Sequence, residues 1–312
     1  MPAALGQESG CQQPGERVEK SDASRSTPME IRRKPPWLQK KLSPSAHAEM
    51  ERLLGDLQLH TVCQEACCPN ITECFRRQQA TFLILGAVCT RACSFCNVSK
   101  SAPLPPDPAE PGRVATAVVR LRLNHVVVTS PTRDDLADGG AGQYAATVAA
   151  IRAAAPATRV ELLVPDFAGE RQSLQAVLAA TPHILGHNLE TVPRLYEIRA
   201  GADYQRSLEV LAMARELAPA IPTKSGLMLG LGERRDEVLA VLDDLRRVGC
   251  DYLSLGQYLA PSRRHQPVVE FIPPEEFDRY RQEALSLGFR HVESGPYVRS
   301  SYLAENYGQP PE

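Results

Sequence analysis

The 312-residue sequence lacks any uninterrupted apolar run of about 18 residues, the minimum for a membrane-spanning helix. It also lacks an apolar stretch near its start, where MPAALGQESGCQQPGERVEK is polar throughout. Glu8, Glu16, Glu19 and Asp22 are acids of the kind that organelle transit peptides avoid. A cytoplasmic location is the expectation. There is no excess of charge: 35 Lys and Arg against 37 Asp and Glu give a formal net charge of −2. No overall basic field therefore exists to hold nucleic acid or an anionic membrane. Neither a fixed-period repeat nor an HxH or HExxH grouping occurs among the seven histidines, so the usual signatures of a mononuclear metal site are missing. What remains is ordinary for a globular chain, at 43% hydrophobic and 23% charged residues, long enough to bury a sizeable core.

Cysteine is the exception. There are nine, and seven of them (Cys63, Cys67, Cys68, Cys74, Cys89, Cys93 and Cys96) crowd into one short stretch, with Cys11 and Cys250 apart. Without a secretory signal the thiols are expected to stay reduced, and a tight reduced cluster points to metal.

Residues 1–28 are rich in Gly, Pro, Ser, Gln and charge and read as a disordered tail. Residues 29–79 lack a core of their own and read as an extension wrapped onto a main domain over 80–288, followed by a C-terminal segment over 289–312. Within the main domain, apolar runs alternate with helical spacing. The runs TFLILGA (81–87), HVVVTS (125–130), RVELLVPD (159–166), HILGHNLE (183–190), PTKSGLMLGLG (222–232) and DYLSLGQYL (251–259) read as buried strands. Helices are expected over Pro111–Leu123, Gly139–Ala154, Arg171–Ala180, Tyr204–Leu217, Arg234–Val248 and Glu275–Leu287. Six such units predict an α/β fold, a partial (βα)6 barrel; an open doubly wound sheet is the alternative. Barrels of this kind gather chemistry at the C-terminal ends of their strands. The polar segments TSPTRDD, HNLE, TKSG and GQY, together with the cysteine loop after the first strand, are expected there.

The first-strand loop reads Cys89-Thr-Arg-Ala-Cys93-Ser-Phe-Cys96. Three thiolates are too few for a closed structural zinc site, but on a [4Fe–4S] cube they leave one iron open. This CxxxCxxC loop resembles that of the radical S-adenosylmethionine superfamily. The resemblance implies that the open iron chelates the amino and carboxylate groups of S-adenosylmethionine, whose reductive cleavage releases a 5′-deoxyadenosyl radical. A second set, Cys63 with Cys67 or Cys68 and then Cys74, again supplies three thiolates. An oxygen from the terminal Arg299-Ser300-Ser301-Tyr302 could fill the open corner of a second cube.

Over roughly residues 30–305 the sequence resembles the lipoyl synthase family. The resemblance is carried by CQEACCPNITEC, LGAVCTRACSFCNV, TSPTRDDLADGGA, VPDF, HNLETVPRLY, RAGADY, PTKSGLMLGLGE, LGQYLAPSRRH and RSSY. It implies that Cys89, Cys93 and Cys96 hold the S-adenosylmethionine cluster. Cys63, Cys68 and Cys74 would hold an auxiliary cluster with Ser301 as fourth ligand, Cys67 falling at a variable position. The implied fold is a partial radical S-adenosylmethionine barrel with an N-terminal auxiliary-cluster extension and a C-terminal segment folding back. The implied reaction inserts two sulfur atoms, at C6 and C8 of an octanoyl chain on a carrier lysine, with the auxiliary cluster as sulfur donor. Implied partners are octanoylated lipoyl domains of 2-oxoacid dehydrogenase E2 and the glycine cleavage H protein, an electron donor such as ferredoxin or flavodoxin, and an iron–sulfur carrier that rebuilds the cluster. Neither nucleic acid nor membrane is expected, and a monomer suffices. Two other functions compete: a second cluster used only for electron transfer, and a zinc or iron–sulfur scaffold without catalysis.

Weaker signals each carry two readings. Phe95 either packs near the adenine or fills the loop. Gly226, Met228, Gly230 and Glu233 resemble an adenine-contact pattern, though the glycines also suit close strand packing. Asn188 and Glu190 are either ribose partners or caps of the next helix. Lys224 and Arg133 either bind substrate or the methionyl carboxylate, or form surface salt bridges, while Asp134 and Asp135 brace their loop. His187 reads as a core histidine, Cys11 and Cys250 as free thiols. Arg263, Arg264 and His265 are either a solvated face or a steering patch for an acidic carrier.

Overall fold

The computed structural model describes residues 34–38, 45–65, 68–77 and 79–308. The tail expected over 1–28 lies outside them, as do Cys11 and Cys67. The described residues from Pro35 onward form one compact unit. No helix among the described residues is long and apolar enough to cross a membrane.

Helix α1 (Ser45–Asp56), strand β1 (His60–Thr61) and the short helices α2 (Val62–Glu65) and α3 (Ile71–Arg76) precede the first alternating unit. Then follow β2 (Thr81–Leu83), α4 (Glu110–Arg120), β3 (His125–Thr129), α5 (Ala141–Ala154), β4 (Arg159–Leu163), α6 (Arg171–Ala179), β5 (Ile184–Gly186), α7 (Tyr204–Leu217), β6 (Thr223–Leu229), α8 (Arg235–Arg247), β7 (Tyr252–Gln257), α9 (Pro274–Ser286) and β8 (His291–Gly295). All six expected strands and six expected helices are present. The strand ends are trimmed by up to four residues: polar ends such as HNLE serve as loops, and β2 stops short of Leu85 and Gly86, both at positive φ. Strand β8 was not expected: its sequence HVESG mixes charge and glycine and carries no apolar run.

The strands stand in the order β1 to β8, with β2 to β8 all parallel and β1 antiparallel to β2. A doubly wound sheet reverses its strand order partway. A strictly sequential order with right-handed crossovers puts every helix on one side, which makes a barrel wall. Among the described residues no pairing joins β8 to β1 or β2, so the barrel is partial.

Alternation along each strand divides the two faces. Phe82, Val126, Val128, Val160 and Leu162 pack outward into one apolar cluster with Val114, Val118, Tyr144, Val148 and Ile151 of α4 and α5. Leu227, Leu229, Leu253 and Leu255 pack against Val238, Val241, Leu242, Leu245 and Phe277 of α8 and α9. The intervening residues face inward, and many are polar. Helix α7 begins at Tyr204 because the Asp203 carboxylate accepts the Arg206 N–H at 2.8 Å, satisfying a free first-turn donor.

The chain beyond β8 turns back into the barrel. A side chain on Gly256 would collide with the Val298 carbonyl, so only glycine lets the returning segment pass. Ser300 meets Asn188 and Ser301 meets Thr81. Tyr307 ends fully buried, its hydroxyl donating to the Leu253 carbonyl at 3.1 Å and its ring packed beside Tyr252 and His291.

Lys224 requires a correction. It was expected at a strand end facing ligand or solvent, but it is the second residue of β6 and only 2% exposed. Its Nζ lies 2.8 Å from Glu161 Oε1 and 3.6 Å from the centroid of the Tyr307 ring. His125 Nε2 stands 3.4 Å from the other Glu161 oxygen. Burial opposes ionisation of Glu161, but Lys224 and His125 outweigh it and hold the carboxyl below its usual range. A lone polar residue in an apolar run looked like the edge of a strand; it is half of an ion pair inside the barrel. Lys224→Met is expected to cost about 3–5 kcal/mol in urea unfolding, because it strands a buried carboxylate. Adding Glu161→Leu should recover most of that loss, and an equal loss in single and double variants would contradict the assignment.

Candidate functional site

Each group of cysteines occupies its own place. The loop carrying Cys89, Cys93 and Cys96 leaves β2 through Leu85 and Gly86, both at positive φ (66° and 81°). The Leu85 backbone is held on both sides: its N–H donates to Glu110 Oε2 at 2.9 Å, and its carbonyl accepts from Arg133 Nη1 at 3.1 Å. Arg133 is therefore not a ligand group. It is 1% exposed, bidentate on Asp135, and also bonded to the Leu104 carbonyl. The neck of the cysteine loop is closed by the bridge between Val88 and Ser99 and by the Cys89 N–H donating to the Ser99 carbonyl. Inside the loop the Arg91 N–H donates to Cys89 Sγ at 3.4 Å. Burial pushes the Cys93 thiol up and the Cys96 thiol to about 11.

Three further contacts seat the loop. The Ser94 N–H donates to the Ile198 carbonyl, and the Gln266 N–H to the Ser94 carbonyl, each at 2.9 Å. Arg91 donates bidentately to Asp134 and to Asp166, all four contacts falling between 2.8 and 2.9 Å.

The second group comes from α2 (Cys63), the turn before α3 (Cys68), α3 (Cys74) and the returning C-terminal segment. Cys63, Cys68, Cys74 and Ser301 line one small cavity of about 30 Å³, with Thr81, His125 and Arg299 among its other walls. Burial pushes the Cys63 thiol to about 12, helped by the neighbouring Cys68 and Cys74. Thr81 Oγ1 donates to Ser301 Oγ at 2.6 Å, whereas Ser300 accepts from Asn188 Nδ2 at 2.6 Å. The two adjacent serines thus turn to opposite sides of the segment. Asn70 Nδ2 donates to the Tyr297 carbonyl at 2.6 Å, and Tyr302 donates to Glu73 at 2.9 Å, stitching α3 to the C-terminal segment.

This chemistry fits iron–sulfur clusters better than single ions. Each set offers three soft thiols, and the second adds one hydroxyl. Among the described residues, no three His, Cys, Asp or Glu side chains converge closely enough to hold one metal ion. Thiols that burial keeps protonated need a strong positive charge to become thiolates, which bound iron supplies.

At the C-terminal ends of β5 and β6, several expected residues come together. Asn188 Nδ2 also donates to Glu190 Oε1 at 3.0 Å, and neither residue caps the following 3-10 turn. Glu190 has positive φ (66°); its N–H donates to the Gly226 carbonyl, and its carbonyl accepts from Met228 N–H. Burial pushes its carboxyl up. Phe95 and Met228 both pack on Ile198, Leu231 and Tyr258. Glu233 accepts from the Gly230 and Leu231 N–H groups and braces that turn. His187 is a core histidine: its Nδ1 lies 2.9 Å from the Val164 carbonyl, and burial lowers its pKa to about 4. Cys250 is a buried free thiol. Arg263 and Arg264 are exposed on the loop that meets Ser94 through Gln266.

Sequence reasoning passed over Arg91, Asp166, Thr81, His125 and Arg299 as site residues. Arg91 was detectable by its place between two cysteines, and Asp166 as the acid closing the run RVELLVPD. Thr81 carries no such signal, since its partner Ser301 lies 220 residues away.

The chain matches the Radical SAM superfamily model over residues 83–256. It is 72% identical over 280 residues to the lipoyl synthase of Geotalea daltonii, covering 90% of this chain and 95% of that one. To the lipoyl synthase of Geobacter metallireducens it is 71% identical over 279 residues, covering 89% and 99%. The lipoyl synthase of Caldicellulosiruptor saccharolyticus is 54% identical over 275 residues, covering 88% and 96%. Among solved structures, methylornithine synthase superposes with a TM-score of 0.51 at 12% identity over 84% of this chain and 88% of that one. Streptococcus suis SuiB, bound to its precursor peptide SuiA, superposes with a TM-score of 0.53 at 10% identity over 73% and 54%. At such identities the two structures share only the fold.

A Cβ on Gly226 would stand 2.6 Å from Ser254 Oγ and 3.0 Å from Asn188 Oδ1. Gly226→Ala is accordingly expected to displace Asn188 from Ser300 and destabilise the protein by roughly 1–3 kcal/mol. Chemical unfolding indistinguishable from the parent would show that the mouth of the barrel is looser than described.

Proposed function

The chain belongs to the lipoyl synthase family of the radical S-adenosylmethionine superfamily, and on that footing we propose that Cys89, Cys93 and Cys96 hold one cluster while Cys63, Cys68, Cys74 and Ser301 hold the other. The activity is that of a sulfurtransferase, inserting two sulfur atoms at C6 and C8 of a protein-bound octanoyl-lysine. When bound, two [4Fe–4S] clusters and S-adenosylmethionine supply the radical chemistry and the sulfur. The observation carrying the residue assignment is the cavity in which Ser301, near one end of the described chain, meets three cysteines near the other.

The chain's own residues divide the remaining work. The turn at Ser94 and the strand ends of β5 and β6 form the seat for S-adenosylmethionine. Phe95 and Met228 offer it an apolar surface beside Ile198, Leu231 and Tyr258. Asn188, held by Ser300 and Glu190, presents a fixed amide toward the ribose, while Gly226 keeps that amide in place by having no side chain. Lys224 takes no part, being engaged with Glu161. In the second cavity, the Thr81 hydroxyl donates to Ser301 Oγ, which favours the deprotonated oxygen a metal ligand requires. An alkoxide is a hard donor in an otherwise soft set, so Ser301 would be the most weakly matched of the four residues that would hold this cluster.

We divide the chain accordingly: residues 29–79 bring the auxiliary cysteines, 80–288 form the barrel together with β8, which lies beyond the expected boundary, and the remainder of 289–312 brings Ser301. The substrate is a lipoyl carrier protein. Lipoyl domains of 2-oxoacid dehydrogenase E2 and the glycine cleavage H protein are the carriers we assign. Arg263 and Arg264 steer their acidic surfaces from the loop beside Ser94. Ferredoxin or flavodoxin serves as reductant, and an iron–sulfur carrier restores the auxiliary cluster. A cytoplasmic location suits all of these.

Ser301→Cys tests the role of the serine. The variant should retain the iron of both clusters and still cleave S-adenosylmethionine, but turn over octanoyl-peptide at least about tenfold more slowly, because a soft fourth thiolate does not release. Unimpaired turnover would remove Ser301 from the mechanism.

A further inference from the structure

The side chain of Arg91 occupies a position that the cluster assignment leaves unexplained. It lies between two of the three cysteines of the barrel-mouth loop, yet it points away from them into the wall. Its side chain is 9% exposed, and its guanidinium spans two carboxylates at once. Nε and Nη2 donate to the two oxygens of Asp134, in the loop after β3, each at 2.8 Å. Nη1 and Nη2 donate to the two oxygens of Asp166, after β4, at 2.9 and 2.8 Å. Asp166 is itself fixed: its side chain is 1% exposed, it accepts Arg206 Nε at 2.8 Å, and it accepts the Ala168 N–H at 3.1 Å. Gly201, at φ 76°, clears the path of the Arg91 stem, since a Cβ there would lie 3.3 Å from Arg91 Cδ. The neighbouring Thr90 adds its own anchor, its N–H donating to the Thr132 carbonyl at 3.0 Å and its hydroxyl to Asp134 at 3.2 Å.

Asp166, after β4 and braced by Arg206 of α7, provides a rigid acceptor, and Asp134 provides a second in the loop after β3. A planar five-donor guanidinium is the only side chain that can lock a loop to both at a defined angle. We propose that Arg91 is a positioning residue: through Asp134 and Asp166 it sets the pose of the Cys89–Cys96 loop, and with it the direction in which the open iron of that loop's cluster meets S-adenosylmethionine. This rests on the assignment of Cys89, Cys93 and Cys96 as ligands made above. The clamp makes no contact with the other cavity, whose cluster serves as an internal reference.

The test uses the full-length protein with both clusters reconstituted anaerobically, comparing the parent with Arg91→Gln, Arg91→Lys and Asp134→Asn. Electron paramagnetic resonance of the reduced protein, with and without S-adenosylmethionine, reads the pose of the loop's cluster. The ratio of 5′-deoxyadenosine released to sulfur inserted reads the coupling. Arg91→Gln should lose or broaden the spectral change caused by S-adenosylmethionine. It should raise that ratio by about tenfold or more, as expected when reacting groups are misplaced by a fraction of an ångström. Arg91→Lys should behave like Arg91→Gln, because an ammonium cannot bridge two carboxylates. Asp134→Asn, which removes the exposed half of the clamp and leaves Asp166 paired, should fall between parent and Arg91→Gln even where Arg91→Gln folds poorly. A parental spectrum and ratio in Arg91→Gln, or in Asp134→Asn should Arg91→Gln not fold, would overturn the proposal, as would full rescue by lysine. Replacing Cys89, Cys93 and Cys96 together by Ala separates the two levels. If that variant keeps all of the iron, the ligand assignment has failed, and not merely the role of Arg91.

Discussion

Residues 298–307 pass down the inside of the barrel, and their passage constrains much of what surrounds them. Along the inward face of β7 the side chains follow this segment: Gly256 leaves room for Val298 and Tyr252 packs against Tyr307, while Leu253 and Leu255 pack outward. The same segment places Ser300 against Asn188 and Ser301 against Thr81, so one short stretch touches both candidate sites. It ends at Tyr307, whose ring lies under Lys224 and whose hydroxyl is bonded to the β7 backbone. The buried Lys224–Glu161 pair is thereby part of the anchor. An ion pair there is worth little as net stability, but it defines one position for the ring above it.

The two cysteine groups share one electrostatic feature. In both, burial pushes thiols up, Cys63 in one and Cys93 and Cys96 in the other, so metal binding there is coupled to loss of the thiol proton. Their surroundings then differ. The loop at the barrel mouth is braced from behind by the Arg91 pairs with Asp134 and Asp166, and it opens toward a surface shared by Phe95 and Met228. The second group is closed by residues 298–307, and the Ser301 oxygen beside its cysteines is held by a threonine.

Much of this was legible from residue order. Apolar runs and helical spacing located the six units because outward-facing Val and Leu alternate with helices whose apolar stripe they cover. The cysteine spacings survive any fold, being local. Strand β8 was not legible, since its inward Glu293 is paired with His291 and its outward face is short. Lys224 was misplaced because a run such as PTKSGLMLGLG does not show where a strand begins. The Arg91 clamp was hidden for a different reason: its partners lie 43 and 75 residues away, and only the sequential strand order brings the ends of β3 and β4 beside the loop.

The central claim is that this chain inserts sulfur drawn from its own second cluster. The most direct measurement reconstitutes the protein anaerobically with iron and sulfide and adds S-adenosylmethionine, reductant and an octanoyl-lysine peptide. Peptide mass is followed alongside 5′-deoxyadenosine and remaining cluster. A peptide that gains two sulfur atoms, with one cluster lost for each peptide converted, is the predicted result. Formation of 5′-deoxyadenosine with no sulfur on the peptide, or sulfur insertion with both clusters intact at the end of turnover, would contradict the account.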